Sequence, residues 1–429
     1  MDYREARAIL GRLPSLEVKP GLERILCLLD LLGHPERSFA SIHVGGTNGK
    51  GSVTAMLASI LSRTGARVGR YTSPELVDFR DRIVVDGRWI SEDELALAVG
   101  RLVPVLDTAS DPPTLFEALT AIAFDHFARN GVEIAVVEVG LGGRFDATNV
   151  VCPLLSLLTN VGLDHLAVLG STLERIAWEK AGIAKPGVPL LAGDLAPEAE
   201  RVVLEECAAV GTSLVHPDAV DVERVSFDWE RATYRVTGEN LPILVSLPLL
   251  GSVQEENLRL VLGAVGLLRA AGLRIDRDAV ALGLREVSWP GRFEVVRRRP
   301  TIVLDGAHNR PAAEALRLDV ERYVPDRSPR HLLLGLLADK EIEAICEILV
   351  PHFAAVTVTQ SRSPRALAVE RLAEVAARFH SVVGRSQRVE EGLAASCLPL
   401  RPSDVLFVTG SLTVVQEARA LLVEPACQR

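Results

Sequence analysis

Ile42-His43-Val44-Gly45-Gly46-Thr47-Asn48-Gly49-Lys50-Gly51-Ser52-Val53 reads as a buried strand that runs into a glycine-rich turn and then a helix. The glycines permit positive φ and close backbone approach, so successive amide N–H groups can face an anion. The apolar run 52–61 continues as a helix beginning near Lys50, and its free N–H groups and macrodipole favour negative charge. Lys50 adds a mobile charge for β/γ-phosphates, and the hydroxyl of Thr47 or Ser52 suits a phosphate or Mg²⁺. The match to G-x-x-x-x-G-K-[ST] is partial. Val44 stands at the first glycine position and Gly51 where the hydroxyl residue belongs, with Ser52 one place later. The expectation is a nucleoside triphosphate cradle made of Gly46, Thr47, Asn48, Gly49, Lys50, Gly51 and Ser52.

Outward from this stretch, strands and helices alternate. Residues 67–71, 134–139, 154–158 and a segment from Leu190 read as strands, and the nearly all-apolar 134–139 is what a parallel strand buried on both faces requires. Helices are expected over 21–32, 197–211 and 251–272, and Ser91 with Glu94 and Thr114 with Glu117 form capping boxes that open two more. Residues 222–236 alternate as a small antiparallel sheet would. A fresh strand series at 301–304, 331–334, 355–358 and 405–408 implies a second, Rossmann-like unit without a G-x-G-x-x-G loop. The expected fold is therefore α/β: a P-loop-containing doubly wound sheet domain with a small antiparallel sheet at 1–290, and a C-terminal Rossmann-like domain at 291–429.

The 429 residues, 48% hydrophobic and 24% charged, suit a two-domain globular enzyme. A net charge of −9 argues against a nucleic-acid partner, and no apolar run reaches membrane-spanning length. The start at Met1 lacks a signal-peptide core, so a cytoplasmic location is expected, and a monomer is expected alongside it. Cys27, Cys152, Cys207, Cys346, Cys397 and Cys427 form no C-x-x-C pair and read as small buried hydrophobes.

Glu138 closes a strand beside Gly140-Leu141-Gly142-Gly143, where a carboxylate can hold Mg²⁺ over the phosphates; the structural alternative is a buried acid paired with Arg144. Asp164-His165 follows another strand. Together with Gly46-Thr47-Asn48-Gly49-Lys50-Gly51-Ser52, several further motifs stand in one order. They are Thr72-Ser73-Pro74, Glu138-Val139-Gly140-Leu141-Gly142-Gly143-Arg144-x-Asp146-Ala147-Thr148-Asn149, Asp164-His165, Glu179-Lys180-Ala181-Gly182-Ile183, Trp289-Pro290-Gly291-Arg292-Phe293-Glu294, Asp305-Gly306-Ala307-His308-Asn309, Asp339-Lys340 and Gly410-Ser411-Leu412. In this the chain resembles the bifunctional folylpolyglutamate synthase and dihydrofolate synthase family, which is Mur-ligase-like.

The resemblance implies an ATP-dependent amide ligase. A substrate carboxylate takes the γ-phosphoryl group, and the amine of L-glutamate attacks the acyl phosphate. Lys50, Lys180, His165 and Arg292 are the implied catalytic residues. Ser73 and Glu138 would hold one Mg²⁺, and His165 with a carbamylated Lys180 a second. Asn257 would lie near the base, although Val253 replaces the family's histidine before it, and Arg292, Asp305 and His308 would reach the nucleotide from the second domain. Phe116 and Asp146 are expected to hold a pterin, so dihydropteroate as well as reduced folates would be accepted. Glu75 departs from the family's frequent histidine after Thr-Ser-Pro.

Blander readings compete: an exposed helix lysine for Lys180, a hydrogen-bonded loop residue for His165, an Asp-Gly turn and helix cap for Asp305 and His308, a core phenylalanine and a loop cap for Phe116 and Asp146. Rival functions are polyglutamylation alone, or a Mur-type ligase on another carboxylate. A Mur enzyme acting on UDP-linked precursors is expected to carry a preceding domain, and 44 residues precede Gly45. A P-loop GTPase is expected to carry Asn-Lys-x-Asp, which the sequence lacks.

Overall fold

The computed structural model describes residues 1–14, 19–106, 110–324 and 329–423. Among the described residues eight strands form the first sheet: β1 (Ala40–Gly45), β2 (Val68–Tyr71), β3 (Ile83–Val85), β4 (Arg88–Trp89), β5 (Ile134–Glu138), β6 (Leu155–Leu158), β7 (Leu190–Ala192) and β8 (Leu214–Val215). Their order is β4-β3-β2-β5-β1-β6-β7-β8, parallel from β2 to β8 and antiparallel at the β2-β3-β4 edge. The chain leaves β1 towards β2 on one side and later crosses from β5 to β6 on the other. The crevice beyond the carboxyl end of β1 is thus the topological switch point, where open α/β sheets bind ligands.

Both faces of this sheet are covered, and β5 shows how. Ile134 and Val136 pack with Met56, Leu57 and Ile60 of the helix Lys50–Ser62, while Ala135 and Val137 pack with Phe124 and Phe127 of the helix Leu115–Arg129. Strand residues alternate between faces, so Glu138 follows Val136 onto the side of the Lys50 helix. Burying each of these side chains larger than alanine contributes about 1.5 to 3 kcal/mol.

The expected small sheet is present as β9 (Asp221–Phe227), β10 (Ala232–Thr237) and β11 (Leu244–Leu247). The last sheet comprises β12 (Glu294–Arg298), β13 (Thr301–Leu304), β14 (Arg330–Leu334), β15 (Ala355–Thr359), β16 (Val383–Ser386) and β17 (Val405–Thr409), ordered β12-β13-β17-β14-β15-β16 with only β12 antiparallel. The α/β architecture thus matches the expected one. An aromatic cluster joins the small sheet to the last one: Tyr323 lies 4.6 Å from Phe227, 5.4 Å from Trp229 and 4.8 Å from Phe293 between ring centroids.

The hairpin β3-β4 and the edge strands β12 and β16 escape the sequence reading. β3 and β4 are too short to show a period, and Val383-Gly384-Arg385-Ser386 has one strongly apolar residue. The cysteine expectation needs correction: Cys207 and Cys346 are buried, but Cys27 and Cys152 are exposed, and Cys427 lies outside the described residues. Both capping boxes form, at Ser91 with Glu94 and Thr114 with Glu117. Among the described residues no helix is long and apolar enough to cross a membrane.

Candidate active site

β1 delivers the chain to a loop whose shape only glycine permits. Gly46 has φ 137° and Gly49 φ 86°. A Cβ on Gly46 would lie 1.9 Å from Thr159 Oγ1, and one on Gly49 would lie 2.4 Å from Asn257 Oδ1. The departure at Gly51 has a steric cause as well, since a Cβ there would meet the Trp289 ring at 2.5 Å. Gly49 caps the helix without any side-chain bond, so its first N–H groups stay available to a ligand. Ser52 is buried in the first turn, and Thr47 Oγ1 is engaged with Gly162, accepting its N–H at 2.9 Å.

Two lysines converge on this loop. Lys50 Nζ donates to the carbonyls of Gly46 and Thr47 at 3.1 Å each, and Lys180 Nζ donates to Gly46 at 2.8 Å. Burial lowers the Lys50 ammonium, and Glu138 and Asp164 oppose that shift. Lys180, on the helix Leu173–Ala181, is only 4% exposed, which overturns its reading as an exposed helix lysine. Burial, with Lys50 acting the same way, pushes it down to about 7.

Glu138 is also buried and accepts the Ser73 amide N–H at 3.2 Å; burial raises its carboxyl to about 7 against the pull of Lys50. Its proposed structural partner goes elsewhere, because Arg144 pairs with Glu206 and stacks on Trp178. His165 sits half-exposed at φ 52° and is pushed down to about 4, first by burial and then by Lys340, His308 and Lys50 against Asp164.

Arg292, from the second domain, feels both Asp305 and Glu138, and burial lowers its guanidinium. Asp305 accepts the Phe293 and Ala307 amides at 2.8 and 2.9 Å, so the Asp-Gly turn is real. His308 Nδ1 donates to the Gly306 carbonyl at 2.7 Å, and its Nε2 lies 3.5 Å from Asp164 Oδ2. Asn257 is buried, bonded to Gln254 Oε1 at 3.0 Å, directly beneath Gly49.

Beside Glu138, Phe116 stacks on Tyr71 with centroids 6.0 Å apart and lies against Gly140, where a Cβ would meet its ring at 2.5 Å. Asp146 is buried and accepts the Leu141 and Thr148 amides and the Thr148 hydroxyl, so the loop-cap geometry also holds. Glu75 is occupied by Arg82.

Several polar residues of the site lay outside the sequence assignment. Thr159 and Asn160 clamp the Asn48 backbone: Thr159 Oγ1 donates to Asn48 O at 2.6 Å, and Asn160 Oδ1 accepts the Asn48 N–H at 3.0 Å. Asp164 receives Lys340 at 2.5 Å and Asn309 at 2.9 Å. His43, neutral because burial holds it near about 3, donates to Thr148 Oγ1 at 2.8 Å and so backs Asp146. Asp164, Asn309 and Lys340 each stand within a recognised motif; only their tertiary pairing distinguishes them.

For Mg²⁺, the carboxylate of Glu138 and the hydroxyl of Ser73 are the hard oxygen donors such an ion takes. Among the described residues no three His, Cys, Asp or Glu side chains converge to hold a metal ion by themselves. A free Lys180 ammonium does not fit as a ligand; its carbamate would.

A glycine loop at the switch point, a carboxylate at the next strand end and basic groups reaching across from a second α/β unit define a nucleotide-dependent ligase of the Mur type. Residues 44–265 match the Mur ligase middle domain, and residues 291–412 match the Mur ligase glutamate ligase domain. The chain is 35% identical to the dihydrofolate synthase/folylpolyglutamate synthase of Bacillus subtilis (strain 168), covering 98% of this chain and 99% of that one. It is 39% identical to a probable bifunctional folylpolyglutamate synthase/dihydropteroate synthase of Haloferax volcanii over 98% of this chain, and spans 50% of that relative's length. The Mycobacterium tuberculosis folylpolyglutamate synthase complexed with ADP superposes with a TM-score of 0.89 at 33% identity, covering 99% of this chain and 98% of the other. The chain belongs to the folylpolyglutamate synthase/dihydrofolate synthase family of Mur ligases.

Proposed function

We propose that the protein uses ATP to ligate L-glutamate to dihydropteroate, giving dihydrofolate, and to the terminal glutamate of reduced folates. The observation that carries this reading is the convergence of Lys50 and Lys180 on the Gly46 carbonyl beside the buried Glu138. A carboxylate is a poor acyl donor until one oxygen leaves as phosphate, so the site's task is positioning and charge neutralisation. One carboxylate oxygen bonds to the γ-phosphorus as ADP departs. The glutamate amine then attacks the acyl carbon, loses a proton, and phosphate leaves with that oxygen.

In this reading the loop Gly46–Gly49 and Ser52 cradle the phosphates, Lys50 neutralises them, and Arg292, Asp305, His308 and Asn257 hold the nucleotide. Ser73 and Glu138 would hold one Mg²⁺, which when bound would supply positive charge for the developing phosphoryl oxygens, and His165 with a carbamylated Lys180 would hold a second. The low proton affinity of buried Lys180 supports the carbamate, because only a neutral amine adds CO₂. Phe116 gives a flat wall and Asp146 a carboxylate for a pterin, with His43 and Thr148 holding Asp146 still. The domains divide near residue 290, and the protein acts as a monomer.

The test is phosphate release with ATP, Mg²⁺ and glutamate, offered dihydropteroate, tetrahydrofolate or a UDP-linked peptide. Release with both pteridines is expected. Release with tetrahydrofolate alone would leave only polyglutamylation, and release with the UDP-peptide alone would overturn the substrate class.

A further inference from the structure

Asn309 terminates the loop after β13 and opens the helix Arg310–Tyr323 in the second domain. It is 2% exposed, and every hydrogen-bonding position of its amide is taken. Oδ1 accepts the Ala312 N–H at 3.0 Å, as a helix cap, and Asn48 Nδ2 at 3.2 Å. Nδ2 gives one hydrogen to Asn48 Oδ1 at 3.1 Å and the other to Asp164 Oδ2 at 2.9 Å. Two acceptors and two donors exhaust an asparagine side chain, so nothing remains for a substrate.

The two partners belong to the first domain's site. Asn48 is the middle of the phosphate loop, and its backbone is already gripped by Thr159 and Asn160. Asp164 precedes His165 and makes a buried ion pair with Lys340, their side chains 8% and 5% exposed. Burial alone would raise the Asp164 carboxyl, but the His308 hydrogen bond and Lys340 outweigh it and hold it ionised. Three second-domain side chains, His308, Asn309 and Lys340, therefore meet on one first-domain carboxylate, and Asn309 alone continues to the phosphate loop.

We infer that Asn309 is a positioning residue: it ties the orientation of Asn48, and with it the loop peptides that face phosphate, to the seating of the second domain on Asp164. This rests on the nucleotide reading of the loop given above. The same helix has a second hold on the site, since Asp319 accepts the Ser252 N–H at 2.9 Å at the start of the helix Val253–Ala270, which carries Asn257 beneath Gly49. An amide is needed at 309 because serine or aspartate can cap the helix but cannot give two hydrogens to Asn48 and Asp164.

The experiment is a double-mutant cycle on the full chain with Asn309→Ser, Asn48→Ala and the pair, reading kcat/KM for ATP and, without turnover, ADP affinity by calorimetry. Asn309→Ser keeps the cap, so its thermal midpoint reports whether folding is intact. Each single change should lower kcat/KM about tenfold to a hundredfold, as expected for losing hydrogen bonds to a charged group and an aligned loop. The pair should lose no more than the worse single variant, and ADP affinity should follow the same pattern. Multiplying losses, or Asn309→Ser within twofold of the parent, would overturn the inference while the parent's activity upholds the function. A parent that binds no ADP would overturn both. Asn309→Asp guards against a folding artefact: it also caps the helix, and should bind ADP more weakly than Asn309→Ser because it sets a second carboxylate against Asp164.

Discussion

Lys50 and Lys180 share one carbonyl but have different tasks. Lys50 starts the helix and faces Glu138, Asp164 and Arg292, so its charge balances whatever the loop holds. Lys50→Ala should leave a folded protein with turnover down about a hundredfold or more, the worth of one oriented charge at such a site. Turnover within threefold of the parent would remove the loop from the mechanism. Lys180→Ala should also be nearly inactive, and added formate or acetate should restore part of the rate by supplying the oxygens that the proposed carbamate would provide. Absence of rescue, with an intact chain showing no labile CO₂ adduct by native mass spectrometry, would refute the modification. At this scale the sequence exposes residues whose role is local or motif-borne, such as Lys50 at a glycine turn and Glu138 at a strand end. It does not expose Asn309 or Asp164 as site residues, because their partners are 261 and 145 positions away in the chain and a capping asparagine looks the same with or without them.

Elements place these residues through close contacts that composition cannot report. The helix Arg277–Glu286 crosses the Lys50–Ser62 helix at Gly283, where a Cβ would fall 2.5 Å from the Ile60 Cα and 2.7 Å from its N. Helix propensity alone would favour Gly283→Ala by about 1 kcal/mol. The obstacle is backbone, which cannot rotate aside, so overpacking should win and the variant should lose about 1 to 3 kcal/mol in urea unfolding. A gain in stability would show that the helices can part there. Asp319 gives a pH signature at the same scale. Burial raises its carboxyl to about 6 against the Ser252 amide, so the folded chain keeps that proton to higher pH than the unfolded chain. The contribution is fully present below about pH 4 and is lost as pH rises through about 6. The stability of the parent relative to Asp319→Asn should therefore fall by about 2 to 3 kcal/mol across that window. A pH-independent difference would mean that Asp319 is ionised throughout. Neither contact is legible in sequence. The long strands and helices are, because their apolar periods are strong, whereas β3 and β4 are too short to show one and β16 has a single strongly apolar residue.

The molecule as a whole brings two α/β units together over one loop. β1, β5 and β6 present Gly46, Glu138 and Asp164 at their carboxyl ends, and the second unit brings Arg292, His308, Asn309 and Lys340 to meet them. In the proposed mechanism that meeting would shield an acyl phosphate from water, which would otherwise hydrolyse it. The proposed reaction turns on activation of the acceptor carboxylate by phosphorylation. It is tested most directly by placing heavy oxygen in the terminal carboxylate of tetrahydropteroylglutamate and following it through one round of ATP- and glutamate-dependent ligation. Inorganic phosphate released with each new amide bond is expected to carry one labelled oxygen. Ligation with unlabelled phosphate would contradict it.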